Sequence, residues 1–372
     1  MKICRVSQTY PTLVNEGKGL HAYNISNRIH EPTLIITKNY DEEYISPSSH
    51  VKIKKIKYVQ YPFPASKRQL FKYMLAVLTY IIGQIEFALK SIIPIYKFRP
   101  DIVHLQSPHA FLIGLFSKSI GSKVVVTFHG SDLRRVAKNK LFMFFLKKFD
   151  AFYYVSHDMK PILEKYFNKE KILFTPSGVD VDFYKDVLSL EVRDKILLSV
   201  GNIRWQKSFI DLIDAFYILQ KEFPNYKLII IGRATELKEE QKILEKIKLY
   251  NLEDKVELLG YKNKFEIREY MSRAQLFLLS SITEGMPKVI LESFACGLPV
   301  VSTDVGGCKV LINDSGIVVP VSNPQLMANA VSNILKDKNK YIKLLTNIKE
   351  NAHIYSWDNN AIRIKKYFNG IQ

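Results

Sequence analysis

Two glutamates, Glu284 and Glu292, bracket a Gly-Met-Pro turn and the start of an apolar run in SITEGMPKVILESFACG, residues 281–297. An ionised carboxylate offers two acceptor oxygens and matches a vicinal diol such as a ribose. Between them, Gly285, Met286, Pro287, Lys288 and Val289 lie where a loop enters a helix, and the backbone N–H groups of such a junction favour phosphate. Pro287 suits the first helical turn, because its missing N–H would have no partner there. A plainer reading also stands: Glu before a helix is a common cap partner, and Glu within one a common solvated residue. The paired acid and base of a glycoside hydrolase fit poorly, since one carboxylate precedes the helix and the other lies inside it, with phosphate-directed amides between.

A loop of this kind needs a parallel sheet beneath it, because open α/β sheets bind ligands at the carboxyl ends of their strands. Short apolar runs recur along the chain, separated by amphipathic stretches of helical length. In the first half they are KICRVS, TLIITK, VKIKKI, DIVHLQ, KVVVTFHG, AFYYVS and ILFTPS; in the second, KILLSVG, KLIIIG, KVELLG, LFLLS, PVVSTD and GIVVP. The two series predict an α/β protein of two doubly wound, Rossmann-like domains, residues 1–185 and 186–354. Their join falls in residues 176–195, where strand periodicity lapses and turn residues gather.

Composition agrees with two domains, since 372 residues at 47% hydrophobic exceed one ordinary core. Cys4, Cys296 and Cys308 are odd in number and far apart, which implies neither a disulfide framework nor a zinc site. A reducing, cytoplasmic setting fits, and the N-terminal MKICRVSQTYP reads as a strand, not a signal peptide. In residues 71–94 the longest apolar stretch is interrupted by Gln84, Glu86 and Lys90, and it reads as a buried or interfacial helix. The net charge of +18 is concentrated: residues 1–150 hold 23 Lys+Arg against 9 Asp+Glu. Such a charge would suit a nucleic-acid-binding protein, but no helix-turn-helix, zinc or RNA-binding signature accompanies it.

The glutamate pair with the following ACGLPVVSTDVGG resembles the signature of retaining glycosyltransferases of family 4, which have the GT-B fold of two Rossmann-like domains facing across a cleft. The resemblance extends through PDIVHLQSPHA (100–110), VTFHGSD (126–132), PSGVD (176–180), SVGNIRWQKSFIDLIDAF (199–216) and IIG (230–232), in the family's order. It implies sugar transfer from a nucleotide-diphosphate sugar, used as substrate, with retention and with neither a cofactor nor a required metal. Glu284 would then contact the donor sugar, Glu292 the ribose, and the amides of Gly285 to Val289 the sugar and diphosphate. Lys207 matches the lysine that neutralises the leaving diphosphate. His129, followed by Gly130, Ser131 and Asp132, matches the histidine near the reacting sugar. YSWDNNAIRIKKYF matches the last helix, which crosses back so that residues 355–372 join the first domain, with Trp357 as an anchor.

Departures from the family pattern are local. Asn202 replaces a frequent Arg, with Arg204 two residues on; Ser208 replaces the Gly after the lysine; Ser177 replaces an Asn; and Gly232-Arg233-Ala234 replaces a G-x-G-P turn. Gly17 and Gly19, in NEGKGLH, can let backbone amides approach a phosphate. His104 and His109 read as structural or peripheral.

The acceptor is suggested by LRRVAKNKLFMFFLKKF, residues 133–149, where Arg134, Arg135, Lys138, Lys140, Lys147 and Lys148 interleave with large apolar residues. This composition suits a surface helix on anionic lipid, or equally a core-facing helix with a solvated basic face. Lys67, Arg68 and Lys72 add to the same side. The reading is a peripheral enzyme at the cytoplasmic face of a membrane, acting on a lipid-linked saccharide or glycolipid; nucleic acid is not expected as a partner. A sugar-nucleotide 2-epimerase of the same fold is the rival.

Overall fold

The computed structural model describes residues 1–12, 19–40, 42–58, 70–185 and 192–371. The thirteen strands among them fall on the thirteen apolar runs, as short aliphatic segments bounded by turn residues should. Contacts divide the chain into Met1–Pro176 with Asn360–Gln372, and Ser177–Asn359.

In the first unit β1 (Ile3–Val6), β2 (Thr33–Lys38), β3 (Val51–Ile56), β4 (Ile102–Leu105), β5 (Lys123–Phe128), β6 (Ala151–Tyr154) and β7 (Ile172–Phe174) form one sheet. Its order is β3-β2-β1-β4-β5-β6-β7, and every pair is parallel. In the second unit β8 (Ile196–Val200), β9 (Lys227–Ile231), β10 (Val256–Leu258), β11 (Leu276–Leu279), β12 (Val300–Thr303) and β13 (Gly316–Val319) are ordered β10-β9-β8-β11-β12-β13, again all parallel. Strand order reverses between β1 and β4 and between β8 and β11. At each reversal the chain leaves the two adjoining strands for opposite sides of the sheet, the position at which open α/β sheets bind ligands. Strands β1, β4, β6, β11 and β12 are buried along their whole length, as expected of a parallel sheet covered on both faces.

Three sequence expectations shift. The boundary lies at 176/177 and not after 185, because Val179 pairs within the second unit: its N–H donates to Tyr355 O (3.0 Å) and its carbonyl accepts from Trp357 N–H (3.1 Å). The short helix Val181–Tyr184 packs there too, against helix Lys288–Ala295. Residues 133–149 are not one surface helix. They lie across two short helices, Ser131–Val136 and Lys140–Leu146, the second started by Asn139, whose side chain accepts from Phe142 N–H at 3.0 Å. Leu133, Val136, Met143, Leu146 and Phe149 are buried, whereas Leu141 and Phe144 are exposed. The return of the C-terminus is also later than residue 355. Trp357, buried and bonded to Val179, begins helix Trp357–Ile371, and only from Asn360 does that helix belong to the first unit. There Asn360 Nδ2 donates to Pro176 O (3.2 Å), Lys365 pairs with Glu31 (2.8 Å), and Ile364 and Phe368 are fully buried.

Candidate functional site

In the second unit the chain leaves β8 through Gly201–Ser208 and leaves β11 through Ser280–Pro287, and these strands are the neighbours at the reversal. The two loops therefore meet. Lys207 Nζ donates to Glu284 Oε1 at 2.6 Å, and the two side chains are only 11% and 12% exposed. Ser281 Oγ donates to the same carboxylate oxygen at 2.7 Å. Two further bonds stitch the loops: Ser280 Oγ to Lys207 O (2.8 Å) and Ile282 N–H to Gln206 O (2.9 Å).

A third loop supports Glu284 from the end of β12. Thr303 Oγ1 donates to Ser281 O (2.5 Å), and Gly307 N–H donates to Gly285 O (2.7 Å). Gly306 has φ +53°, and a Cβ there would sit 2.3 Å from Glu284 O, so the turn admits only glycine without displacing the glutamate. The Ser208 departure has a geometric counterpart. Its φ of 44° and ψ of 48° are left-handed, the conformation that favours glycine, and its hydroxyl donates to Asp211 Oδ2 at 2.7 Å.

Pro287 stands just before helix Lys288–Ala295, one position earlier than the first turn assigned to it, so Lys288 and Val289 begin the helix. First-turn amides have no intrahelical acceptor and carry the positive end of the helix dipole. Gly285 is exposed, and Met286, Lys288 and Val289 are partly so. Glu292 follows on the same helix, one turn after Lys288. Burial pushes the Glu292 carboxyl above its ordinary value against the pull of Lys288, and burial lowers the Lys288 ammonium against the pull of Glu292. Tyr184 lies beside them, its hydroxyl pushed up by burial and then by the Glu292 charge. Asn202 and Arg204 are exposed in the loop after β8. The same loop is tied to the one after β9, where Ile203 N–H donates to Arg233 O (2.8 Å) and the Arg233 guanidinium stacks 4.1 Å over Tyr261.

In the first unit His129 is exposed just beyond β5, with its N–H donating to both carboxylate oxygens of Asp132 (3.0 and 3.1 Å). Its ring lies 6.0 Å from that of His21, on helix Leu20–Ile29. Gly19 precedes that helix with φ 69°, and Gly17 lies outside the described residues, as do Lys67 and Arg68. His104 is a core residue. Arg5 Nη1 donates to its Nδ1 (2.5 Å), its Nε2–H faces Thr127 Oγ1 (2.6 Å), and burial followed by the Arg5 charge keeps it neutral, well below its ordinary pKa. His109 packs edge-on to Tyr80 and Phe142. The basic residues Arg134, Arg135, Lys138, Lys140, Lys147 and Lys148 are all exposed, and Arg134 pairs with Asp158 (2.7 Å). Among the described residues no group of three or more His, Cys, Asp and Glu is arranged to hold a metal ion.

Sequence reasoning thus pairs Lys207 with Glu284 in one site but passes over Ser281, Thr303, Tyr184 and His21. A signal exists for the first two, as hydroxyls at the ends of two adjacent apolar runs.

Two family models divide the chain between them. Residues 22–183 match "Glycosyltransferase Family 4" and residues 180–354 match "Glycosyl transferases group 1". By these two matches the chain belongs to the family 4 glycosyltransferases, and its fold is GT-B. Among similar proteins is a phosphatidylinositol N-acetylglucosaminyltransferase of Arabidopsis thaliana, 28% identical over 67% of this chain and 56% of that one. Another is the Campylobacter jejuni N-acetylgalactosamine-N,N'-diacetylbacillosaminyl-diphospho-undecaprenol 4-alpha-N-acetylgalactosaminyltransferase, 34% identical over 45% of each chain. The chain therefore spans only about half the length of these relatives. Among solved structures, Anabaena HepE in complex with UDP superposes over 100% of both chains with a TM-score of 0.76 at 17% identity, a likeness of fold.

Proposed function

We propose that the protein is a retaining hexosyltransferase, moving a sugar from a UDP-sugar to the hydroxyl of a lipid-linked saccharide or glycolipid, peripherally at the cytoplasmic face of a membrane. The observation that carries the transfer chemistry is the Lys207–Glu284 pair at the strand-order reversal of the second unit, beside the N-terminus of helix Lys288–Ala295. The UDP assignment draws support from the HepE complex, and the lipid-linked acceptor from the names of the relatives in Arabidopsis and Campylobacter.

In this reading the ammonium of Lys207 turns from Glu284 to the donor diphosphate and offsets the charge that builds as the sugar departs. Glu284, still held by Ser281, then accepts from sugar hydroxyls, and Glu292 from the ribose diol. The acceptor oxygen bonds to the anomeric carbon on the face from which the diphosphate leaves. Its proton passes to a departing phosphate oxygen, so the nucleotide serves as its own base. Lys207 and the helix amides carry the charge stabilisation, with neither a cofactor nor a metal ion in the scheme. The first unit handles the acceptor, with the exposed ring of His129 orienting the attacking hydroxyl.

A thermal-shift series with UDP, GDP and ADP tests the donor, because a ligand that binds only the folded state raises its melting temperature. UDP should give the largest shift. Product from an α-linked donor should show an α-anomeric proton by NMR; a β product would overturn retention, and epimerised donor formed without acceptor would replace transfer by 2-epimerisation.

A further inference from the structure

Helix Leu70–Phe98 presents two unlike faces from Met74 onward. On one, Phe87, Ser91 and Ile95 are fully buried, with the Phe87 ring 5.0 Å from that of Tyr58. On the other, Leu75, Leu78, Ile82, Ile85, Leu89 and Ile93 are each between 42% and 63% exposed. At 3.6 residues per turn these six fall within an arc of about 80° and run along about 27 Å of the helix. Continuous apolar ridges of this extent are rare on the free surface of a soluble protein and mark a contact with another phase or another molecule.

Charge selects the occupant. The helix packs beside β3, the edge strand of its sheet, where Lys52, Lys54, Lys55 and Lys57 are all exposed. Lys90 and Lys97 stand on the flank of the ridge, and Glu86, the one acidic residue of the helix, is paired with Lys90 at 2.6 Å. On its other side helix Phe111–Ser119 contacts both this helix and Lys140–Leu146, which exposes Leu141 and Phe144 among Lys140, Lys147 and Lys148. A second copy docked ridge to ridge would bring these lysines against their own equivalents, in a region with 23 Lys+Arg to 9 Asp+Glu. An anionic lipid surface neutralises the same charge and takes up the apolar ridge. The helix is long and apolar enough to cross a membrane, but a spanning course would strip Phe87, Ser91 and Ile95 from the core.

We propose that the exposed ridge of helix Leu70–Phe98 lies flat in the interface of an anionic bilayer, with the lysines of β3 and of the helix flank at the headgroups. The inference rests on the proposed lipid-linked acceptor only in that it supplies the surface on which such an acceptor is met.

The test is sedimentation of the full chain with vesicles of equal parts phosphatidylcholine and phosphatidylglycerol, against phosphatidylcholine alone, at low and high salt. Wild type should bind the anionic vesicles at least about tenfold more tightly than the neutral ones, and a Leu78→Gln/Ile82→Gln/Ile85→Gln/Leu89→Gln variant should lose at least about tenfold of that binding. Lys54→Glu/Lys55→Glu should weaken binding most at low salt. The UDP-induced thermal shift of both variants should equal that of wild type, which shows that they are folded. Equal vesicle binding by wild type and the apolar-ridge variant would overturn the proposal. So would a wild-type dimer that this variant converts to monomer in sedimentation velocity. Absence of any nucleotide response in wild type would sink the donor reading while leaving the vesicle result to stand or fall separately.

Discussion

At the scale of single residues, the Lys207–Glu284 pair and Glu292 make different demands. Replacing Lys207 by Met should lower kcat about 10²–10³-fold, the usual cost of removing one preorganised charge-stabilising group. UDP binding should fall less than kcat, and steady-state kinetics beside UDP titration would separate the two; equal losses in both would assign Lys207 to ground-state binding alone. Glu292 invites a pH experiment. Its carboxyl holds its proton more tightly in the fold than at its ordinary value of 4.5, so the folded state binds more protons than the unfolded one above that pH. Stability from this group is therefore lost as pH rises from 4.5 through the folded pKa, and Glu292→Gln should melt higher than wild type at pH 7, the gap closing toward pH 4. The same variant should bind UDP more weakly at pH 7, because the ribose diol loses an ionised acceptor. A variant less stable than wild type at pH 7, with unchanged UDP affinity, would return Glu292 to a purely structural role.

At the scale of elements, the site depends on three loops leaving β8, β11 and β12, and the last of them is the least visible contributor. Gly306→Ala should destabilise the protein by about 1–3 kcal/mol, from left-handed strain at φ +53° and the clash with Glu284 O. It should also weaken the UDP-sugar response more than the UDP response, because the displaced residue is the one assigned to the sugar. Equal weakening of both would place the effect on the diphosphate. These loops were legible in the sequence because parallel strands buried on both faces leave short aliphatic runs, and Gly, Pro, Ser and Asp punctuate their ends. The division of residues 133–149 was not legible by composition, since basic and large apolar residues occur on both sides of the break, where Asn139 caps the second helix. Nor could periodicity reveal that the ridge from Leu75 to Ile93 stays uncovered. A buried stripe and a lipid-facing stripe have the same spacing, and what covers each is decided by residues distant in sequence. The left-handed Ser208 is marked only by the glycine that the family pattern has in its place, as serine itself carries no mark of the backbone region it occupies.

At the scale of the whole molecule, the first unit is discontinuous, completed by residues 360–371 that arrive after the second unit has been made. Phe368 is the centre of that closure. Fully buried, it lies 5.9 Å from the ring of His104 and 6.2 Å from that of Tyr153, with the Arg5 guanidinium 5.7 Å from its centroid. Beneath it Arg5 is desolvated enough that its pKa falls to about 10. Phe368→Ala removes a large ring from this closed environment, and the remaining Arg5, His104 and Tyr153 cannot close the space without moving strands β1, β4 and β6. The loss should be about 3–5 kcal/mol. It should be local to one unit, because every partner named belongs to the first sheet. Hydrogen exchange followed by mass spectrometry would show it: peptides covering β1, β4 and β6 should lose protection in Phe368→Ala, while those covering β8, β9, β11 and β12 keep theirs and still gain protection when UDP is added. Uniform loss of protection across both sheets would mean that the two units unfold as one cooperative body, and that the C-terminal helix carries the stability of the entire chain.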